Sequence, residues 1–242
     1  MIINGLFIKE KDVITKVFTY LLNQKQFNAL VEKLQNLMTF KPNQLMVESI
    51  YEFVAHDIPK DNATQLLSGK TTTLRVDNKL EIVNVFAETK GKEKVYDEFF
   101  IRVNNNGEEA SYFYANDGLR HLVTKTTGKQ VLEENDYTNE IDNPNFKPFS
   151  TISPQVNFCV PGGYKHCGPG CGDGLKYGGG TPKNQLDKCC RAHDRCWKSF
   201  GSWDACCDLR LVVCAETAKR SPIAKRLVQA PFVYNASKCK TK

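Results

Sequence analysis

The first 158 residues contain no cysteine, and the 242-residue chain has only three methionines, two tryptophans and four histidines. A front part without thiols has neither disulfides nor a thiolate metal site. No uncharged apolar run approaches the roughly 18 residues needed to cross a bilayer, which excludes transmembrane helices. The opening run Met1–Val13 has no basic region ahead of an apolar core and meets charge at Lys9, so no signal peptide is expected there. With 41% hydrophobic and 25% charged residues the chain has enough apolar content for a packed core, which excludes global disorder.

What is present is unevenly placed. All ten cysteines fall between Cys159 and Cys239. Residues 1–150 carry a net charge of −3 and residues 151–242 a net charge of +9. An even number of cysteines in a short basic segment is the pattern of a disulfide scaffold, which requires an oxidising compartment. The positive excess predicts an anionic partner, whether phospholipid surface, nucleic acid or cell wall, and the excess of basic over acidic residues around Lys188–Arg226 favours an anionic lipid interface. Nucleic acid is not expected, because the interleaving of basic and aromatic residues that stacking requires is weak.

The expected architecture is α+β. In the front part Val13, Val17, Tyr20, Leu21, Phe27, Leu30, Val31, Leu34 and Leu37 recur mostly at three- and four-residue steps, predicting one helix over Asp12–Met38. Four β-branched or aromatic runs follow, Thr71–Val76, Leu80–Ala87, Val95–Val103 and Ala110–Ala115, with turn residues between them, predicting an antiparallel meander. His56 and His121 are isolated and read as ordinary histidines. Pro144, Pro148 and Pro154 mark a linker. The expected units are therefore residues 1–140 as an acidic cysteine-free domain with a pro-segment or delivery role, 141–155 as linker, and 156–242 as a basic disulfide-rich helical domain.

The chemistry-bearing motifs lie in that last unit. They are Tyr164-Lys-His-Cys-Gly-Pro-Gly-Cys-Gly-Asp-Gly, Tyr177-Gly-Gly-Gly-Thr-Pro, Asp187-Lys-Cys-Cys-Arg-Ala-His-Asp-Arg-Cys-Trp and Ala205-Cys-Cys-Asp-Leu-Arg-Leu-Val-Val-Cys. The stretch from Leu186 to about Phe200 reads as a helix, and Ser202 or Asp204 caps a second one running to about Lys219. Cys189 and Cys196 are seven residues apart, as are Cys207 and Cys214. In an antiparallel helix pair, Cys196–Cys207 and Cys189–Cys214 then fall in one register, within the ~7 Å that a disulfide allows between Cα atoms. His193 lies on the shared face, where Asp208 can hold one ring nitrogen and leave the other as a base. Asp194 lies one turn beyond Cys190. If Cys190 is tied to Cys167, a glycine loop able to turn carbonyls inward sits beside that carboxylate, a hard-oxygen set suited to Ca²⁺. Asp187 reads as a charge or cap at the helix N-terminus.

These motifs resemble the secreted phospholipase A2 family over roughly residues 159–216. The resemblance implies His193 as general base oriented by Asp208. It implies Asp194 as the Ca²⁺ carboxylate, joined by the main-chain carbonyls of His166, Gly168 and Gly170, with the Gly168 amide as oxyanion donor. It also implies a Cys167–Cys190 pairing. The activity it implies is Ca²⁺-dependent hydrolysis of the sn-2 ester of glycerophospholipids by a secreted protein bound peripherally to an anionic phospholipid membrane.

Three departures stand out: a longer segment from Gly170 to Pro182, Trp197 where the family often has Tyr, and a very short connection between the helices. The tyrosine hydroxyl that supports the aspartate is therefore expected to be missing. Cys159, Cys171, Cys206 and Cys239 remain, with three possible connectivities. A zinc site is disfavoured by the lack of CxxC spacing, and a nucleotide cradle by the lack of a preceding strand and a Gly-Lys-Ser/Thr ending. The competing function is a disulfide-stapled, membrane-active toxin or bacteriocin-like module that hydrolyses nothing. Leu175, Tyr177, Val228, Phe232 and Val233 suit either a lipid contact or the core, and Asn62 and Asn235 stand in glycosylation sequons.

Overall fold

A computed structural model describes residues 2–57, 65–91, 93–115, 118–129, 131–138, 140–147, 159–160, 162–168, 170–175, 177–219 and 221–240. Pro148, Pro154, Asn62 and the His56 side chain lie outside what it describes. The front part is a seven-stranded antiparallel meander in sequence order: β1 (Ile2–Phe7), β2 (Met46–Asp57), β3 (Gln65–Val76), β4 (Leu80–Thr89), β5 (Lys94–Asn105), β6 (Glu108–Ala115) and β7 (Gly118–Thr126). The four expected strands correspond to β3–β6. The sequence reading missed β1, β2 and β7. The last of these is an edge strand of half-exposed and exposed residues, without the apolar run that marks a buried strand.

The single helix expected over Asp12–Met38 is instead two, α1 (Lys11–Leu22) and α2 (Lys25–Gln35). Asn23 closes the first, and Gln24 turns extended at φ −80° and ψ 130° before the second. Asn is a weak helix former because its side chain competes locally for backbone groups. Both helices cover one face of the sheet, where Phe27, Leu30 and Leu34 pack with Ile82, Phe99 and Ile101.

The other face carries the cysteine-rich part. Its helices are α3 (Gln185–Phe200), α4 (Ala205–Glu216) and α5 (Pro222–Ala236). The expected pair is thus joined by a third helix that opens with Pro at its first position, where a missing N–H costs nothing. α4 and α5 lie against the sheet, and Val212, Ala215, Ile223 and Leu227 share one apolar cluster with Phe53, Val85 and Phe100. The start of the expected linker is tied down. Asn143 N–H donates to the Gly5 carbonyl at 2.8 Å, and Asp142 accepts from the Phe7 amide at 3.0 Å, so residues 142–143 cap the free edge of β1.

Charges are buried where the sheet meets the helices. Arg102 grips Glu81 with two bonds of 2.7 and 2.6 Å, and Arg75 reaches the same carboxylate at 2.9 Å. On the helical side Glu216 pairs with Arg226, accepts from Gln229 at 2.7 Å and takes a bond from Ser111 of β6 at 3.3 Å. Burial alone would raise the Glu216 carboxyl, but Arg226 and Lys225 outweigh it and hold the group at about 2. A carboxyl held below its unfolded value stabilises the fold at pH above that value and loses this stabilisation as pH falls. Between pH ~4.5 and ~2 the chain should therefore lose about 3 kcal/mol through Glu216 alone, with Glu81 adding a loss of the same sign. Urea unfolding across that range should be less pH-dependent in Glu216→Gln.

Candidate functional site

α3 begins where Asn184 accepts the Asp187 amide at 3.0 Å, and α4 begins where Asp204 accepts the amides of Cys206 and Cys207 at 3.0 and 2.9 Å. These side chains satisfy donors that a helix start leaves unpaired. Four residues, Gly201–Asp204, turn the chain between the helices. Trp203 adopts φ 64°, unusual for a bulky residue, and its ring lies 5.8 Å from Phe232. Cys189–Cys214 and Cys196–Cys207 bridge α3 to α4 in the register expected, and Cys167–Cys190 ties the glycine loop to α3. The four remaining cysteines pair as Cys159–Cys171 and Cys206–Cys239.

Those helices bring His193 and Asp208 together. His193 Nε2 lies 2.8 Å from Asp208 Oδ1, and Asp208 is fully buried. With an ionised carboxylate as acceptor, the network assigns the ring proton to Nε2. Nδ1 has no hydrogen-bond partner among the described residues. The imidazole packs against two rings that also touch each other, Trp197 at 4.4 Å and Phe232 at 4.9 Å.

The aspartate has more support than the sequence suggested. The tyrosine hydroxyl is indeed missing, yet the Trp197 indole N–H donates to Asp208 Oδ1 at 2.9 Å and supplies the bond in its place. On the other oxygen, Asn235 Nδ2 donates to Oδ2 at 2.7 Å while also donating to the Trp203 carbonyl at 2.8 Å. Both N–H bonds of the Asn235 amide are thereby used inside the fold. Phe232, left open between core and lipid, belongs to the wall of this site. The partner of Asn235 lies 27 residues away, and nothing in the local sequence pattern names it.

The glycine loop is organised by Asp187. As expected of a charge at the helix N-terminus, this residue sits in the first turn of α3, while the cap itself is Asn184. The buried Asp187 carboxylate accepts the amides of Lys165, His166, Cys167 and Lys183 at 2.8–3.2 Å. In a trans peptide the carbonyl points opposite its N–H. The His166 carbonyl therefore points away from Asp187, and it accepts no bond among the described residues. The carbonyls of Gly168 and Gly170 each accept one amide, from Cys171 and Tyr177, both at 3.1 Å, and each keeps a second lone pair.

Asp194 faces this loop. A Cβ at Gly172 would fall 2.6 Å from Asp194 Oδ2, so only glycine lets the backbone approach that oxygen. Asp194 Oδ2 is buried and without a hydrogen-bond partner. Burial first, then the charges of Asp187 and Asp173, push this carboxyl up to about 7. An orphaned buried carboxylate oxygen beside a carbonyl-rich loop suits a hard divalent cation such as Ca²⁺. The longer segment after Gly170 is strapped to this region. Asp173 accepts the Gly180 amide at 2.8 Å and pairs with Arg195 at 3.2 Å, while His166 Nε2 donates to the Gly180 carbonyl at 2.9 Å.

Two curated proteins match the C-terminal part. The chain is 44% identical over 41 residues to acidic phospholipase A2 S17-58 of Austrelaps superbus, a stretch that is 17% of this chain and 22% of the relative. It is 35% identical over 74 residues to the acidic phospholipase A2 homolog taipoxin gamma chain of Oxyuranus scutellatus scutellatus, 28% of this chain and 46% of that one. The chain thus spans less than half the length of either relative. No family model matches it, and no solved structure does. The cysteine-rich part is therefore phospholipase A2-like.

Asn235→Ala removes a donor to a fully buried carboxylate and should cost about 1.5–3 kcal/mol, read from chemical denaturation of the oxidised protein. Asn235→Gln, whose longer side chain misplaces the same amide, should recover only part of that loss.

Proposed function

We propose that the cysteine-rich part is a Ca²⁺-dependent phospholipase A2, cleaving the sn-2 ester of glycerophospholipids at an anionic membrane surface outside the cell. One observation carries the reading. His193 leaves Nδ1 without a partner while Asp208 holds Nε2, and the next residue offers a buried, unpartnered carboxylate oxygen to a glycine loop.

In this reading Nδ1 takes a proton from a water that attacks the ester carbonyl. The imidazolium so formed is stabilised by Asp208, whose position is fixed by Trp197 and Asn235. Collapse of the tetrahedral intermediate breaks the bond to the glyceryl oxygen, and His193 returns its proton to that oxygen. Asp194 and the carbonyls of His166, Gly168 and Gly170 would hold Ca²⁺, which when bound polarises the ester carbonyl and offsets the oxyanion charge. The Gly168 amide would donate to the same oxygen.

The membrane assignment draws on the net +9 of residues 151–242 and on exposed side chains near the site. Phe200 closes α3 at 68% exposure, and Tyr234, two residues from Phe232, is 56% exposed with Lys238 Nζ 4.2 Å over its ring. Aromatic rings flanked by lysines suit an interface with anionic headgroups. Five disulfides fit an oxidising, extracellular setting.

A stapled module that permeabilises membranes without hydrolysis is the competing reading, and the word "homolog" in the name of one relative favours it. Fatty-acid release from phosphatidylglycerol vesicles in millimolar Ca²⁺ separates the two. Release should vanish with chelator and fall at least about 100-fold in His193→Gln. Calorimetric titration should detect Ca²⁺ binding to the native chain and none to Asp194→Asn. Vesicle leakage that is equal in wild type and His193→Gln, with no fatty acid released by either, would overturn the enzyme reading.

A further inference from the structure

α5 has one side in each half of the molecule. Ile223, Leu227, Ala230 and Val233 join the apolar cluster that includes Phe53, Val85 and Phe100 of the sheet. The Arg226 guanidinium lies 4.8 Å over the Phe100 ring while pairing with Glu216, and Glu216 accepts from Ser111 of β6 at 3.3 Å. At the helix start Glu140, the last residue before the linker, accepts the amides of Ile223 and Ala224 at 2.8 and 3.2 Å. The other side of the same helix carries Phe232 against the His193 ring and Asn235 on Asp208. α3, which bears His193 and Asp194, packs on α4 instead.

From this placement we infer that residues 2–140 are a permanent structural half of the catalytic unit, not a detachable inhibitor. The sheet is the intramolecular partner of α5. By fixing that helix it fixes Asn235 and Phe232, and through them the His193–Asp208 pair. Without the sheet, α4 and α5 would present a contiguous apolar face to water together with the buried Glu216–Arg226 pair. Cutting the linker would therefore leave two chains that stay together, with the site unchanged. The catalytic consequence rests on the phospholipase reading; the association rests on the packing alone.

The two tryptophans of the chain, Trp197 and Trp203, both lie at the site, so tryptophan fluorescence reports the cysteine-rich half, and the β-sheet band of the amide I infrared spectrum reports the meander. In the full chain Phe100→Ala, far from the tryptophans in sequence and within β5, should lower one common thermal transition by about 5–10 °C in both signals. A fluorescence transition that stays in place while the infrared sheet transition falls would overturn the inference.

Should Phe100→Ala not fold, the wild-type chain with a site-specific protease sequence placed in residues 148–158 decides the question. After cleavage the halves should co-elute in gel filtration, part only in denaturant, and release fatty acid within twofold of the uncut rate. Halves that separate in buffer, or a several-fold rise in release on cleavage, would overturn it. If the uncut chain releases no fatty acid, the phospholipase reading fails, and co-elution with the shared transition still decides the association.

Discussion

The site depends on one buried carboxylate. Asp208 is fully covered, and a charge in that position is tolerable only because three N–H groups converge on it: His193 Nε2, Trp197 Nε1 and Asn235 Nδ2. Each comes from a different constraint. His193 and Trp197 are one helical turn apart on α3, so a single helix presents both. Asp208 is placed by the two disulfides that set α4 in register with α3. Asn235 arrives from α5, which is itself closed onto α4 by Cys206–Cys239. Indole and amide N–H groups only donate, so they orient the carboxylate without competing for its role as acceptor.

A second carboxylate organises the neighbouring loop by the same logic. Asp187 gathers four backbone amides and thereby turns the carbonyls between them outward. Asp194 is the contrasting case, a half-buried carboxylate whose buried Oδ2 nothing in the described protein satisfies. The two differ by seven positions on one helix, yet one stabilises the loop and the other is left with an unmet requirement for positive charge. That difference, not the presence of either residue, is what makes the loop a candidate cation site.

The sheet contributes at a distance. Its helix-facing side pairs apolar burial with an ionic cluster in which Arg102, Glu81, Glu216 and Arg226 are almost completely covered. Such pairs add little net stability compared with apolar packing, but removing one member leaves an uncompensated charge. They make the contact between sheet and helices specific in register, and so transmit the position of the meander to α5.

Sequence alone determined what depends on short spacing. Cysteines seven apart on two facing helices dictated the register of α3 and α4, and with it the meeting of His193 and Asp208. β-Branched and aromatic runs bounded by turn residues marked β3–β6, because strands covered on both faces favour such side chains without a break. The break between α1 and α2, the edge strand β7 and the third helix were not legible, since propensity there is weak and packing decides. Nor could the sequence assign Asn235 to Asp208, Asp187 to the loop amides, or the last two disulfides. Those contacts join residues 12–33 positions apart whose local environments are alike in any candidate pairing, and only closure of the chain in three dimensions selects among them.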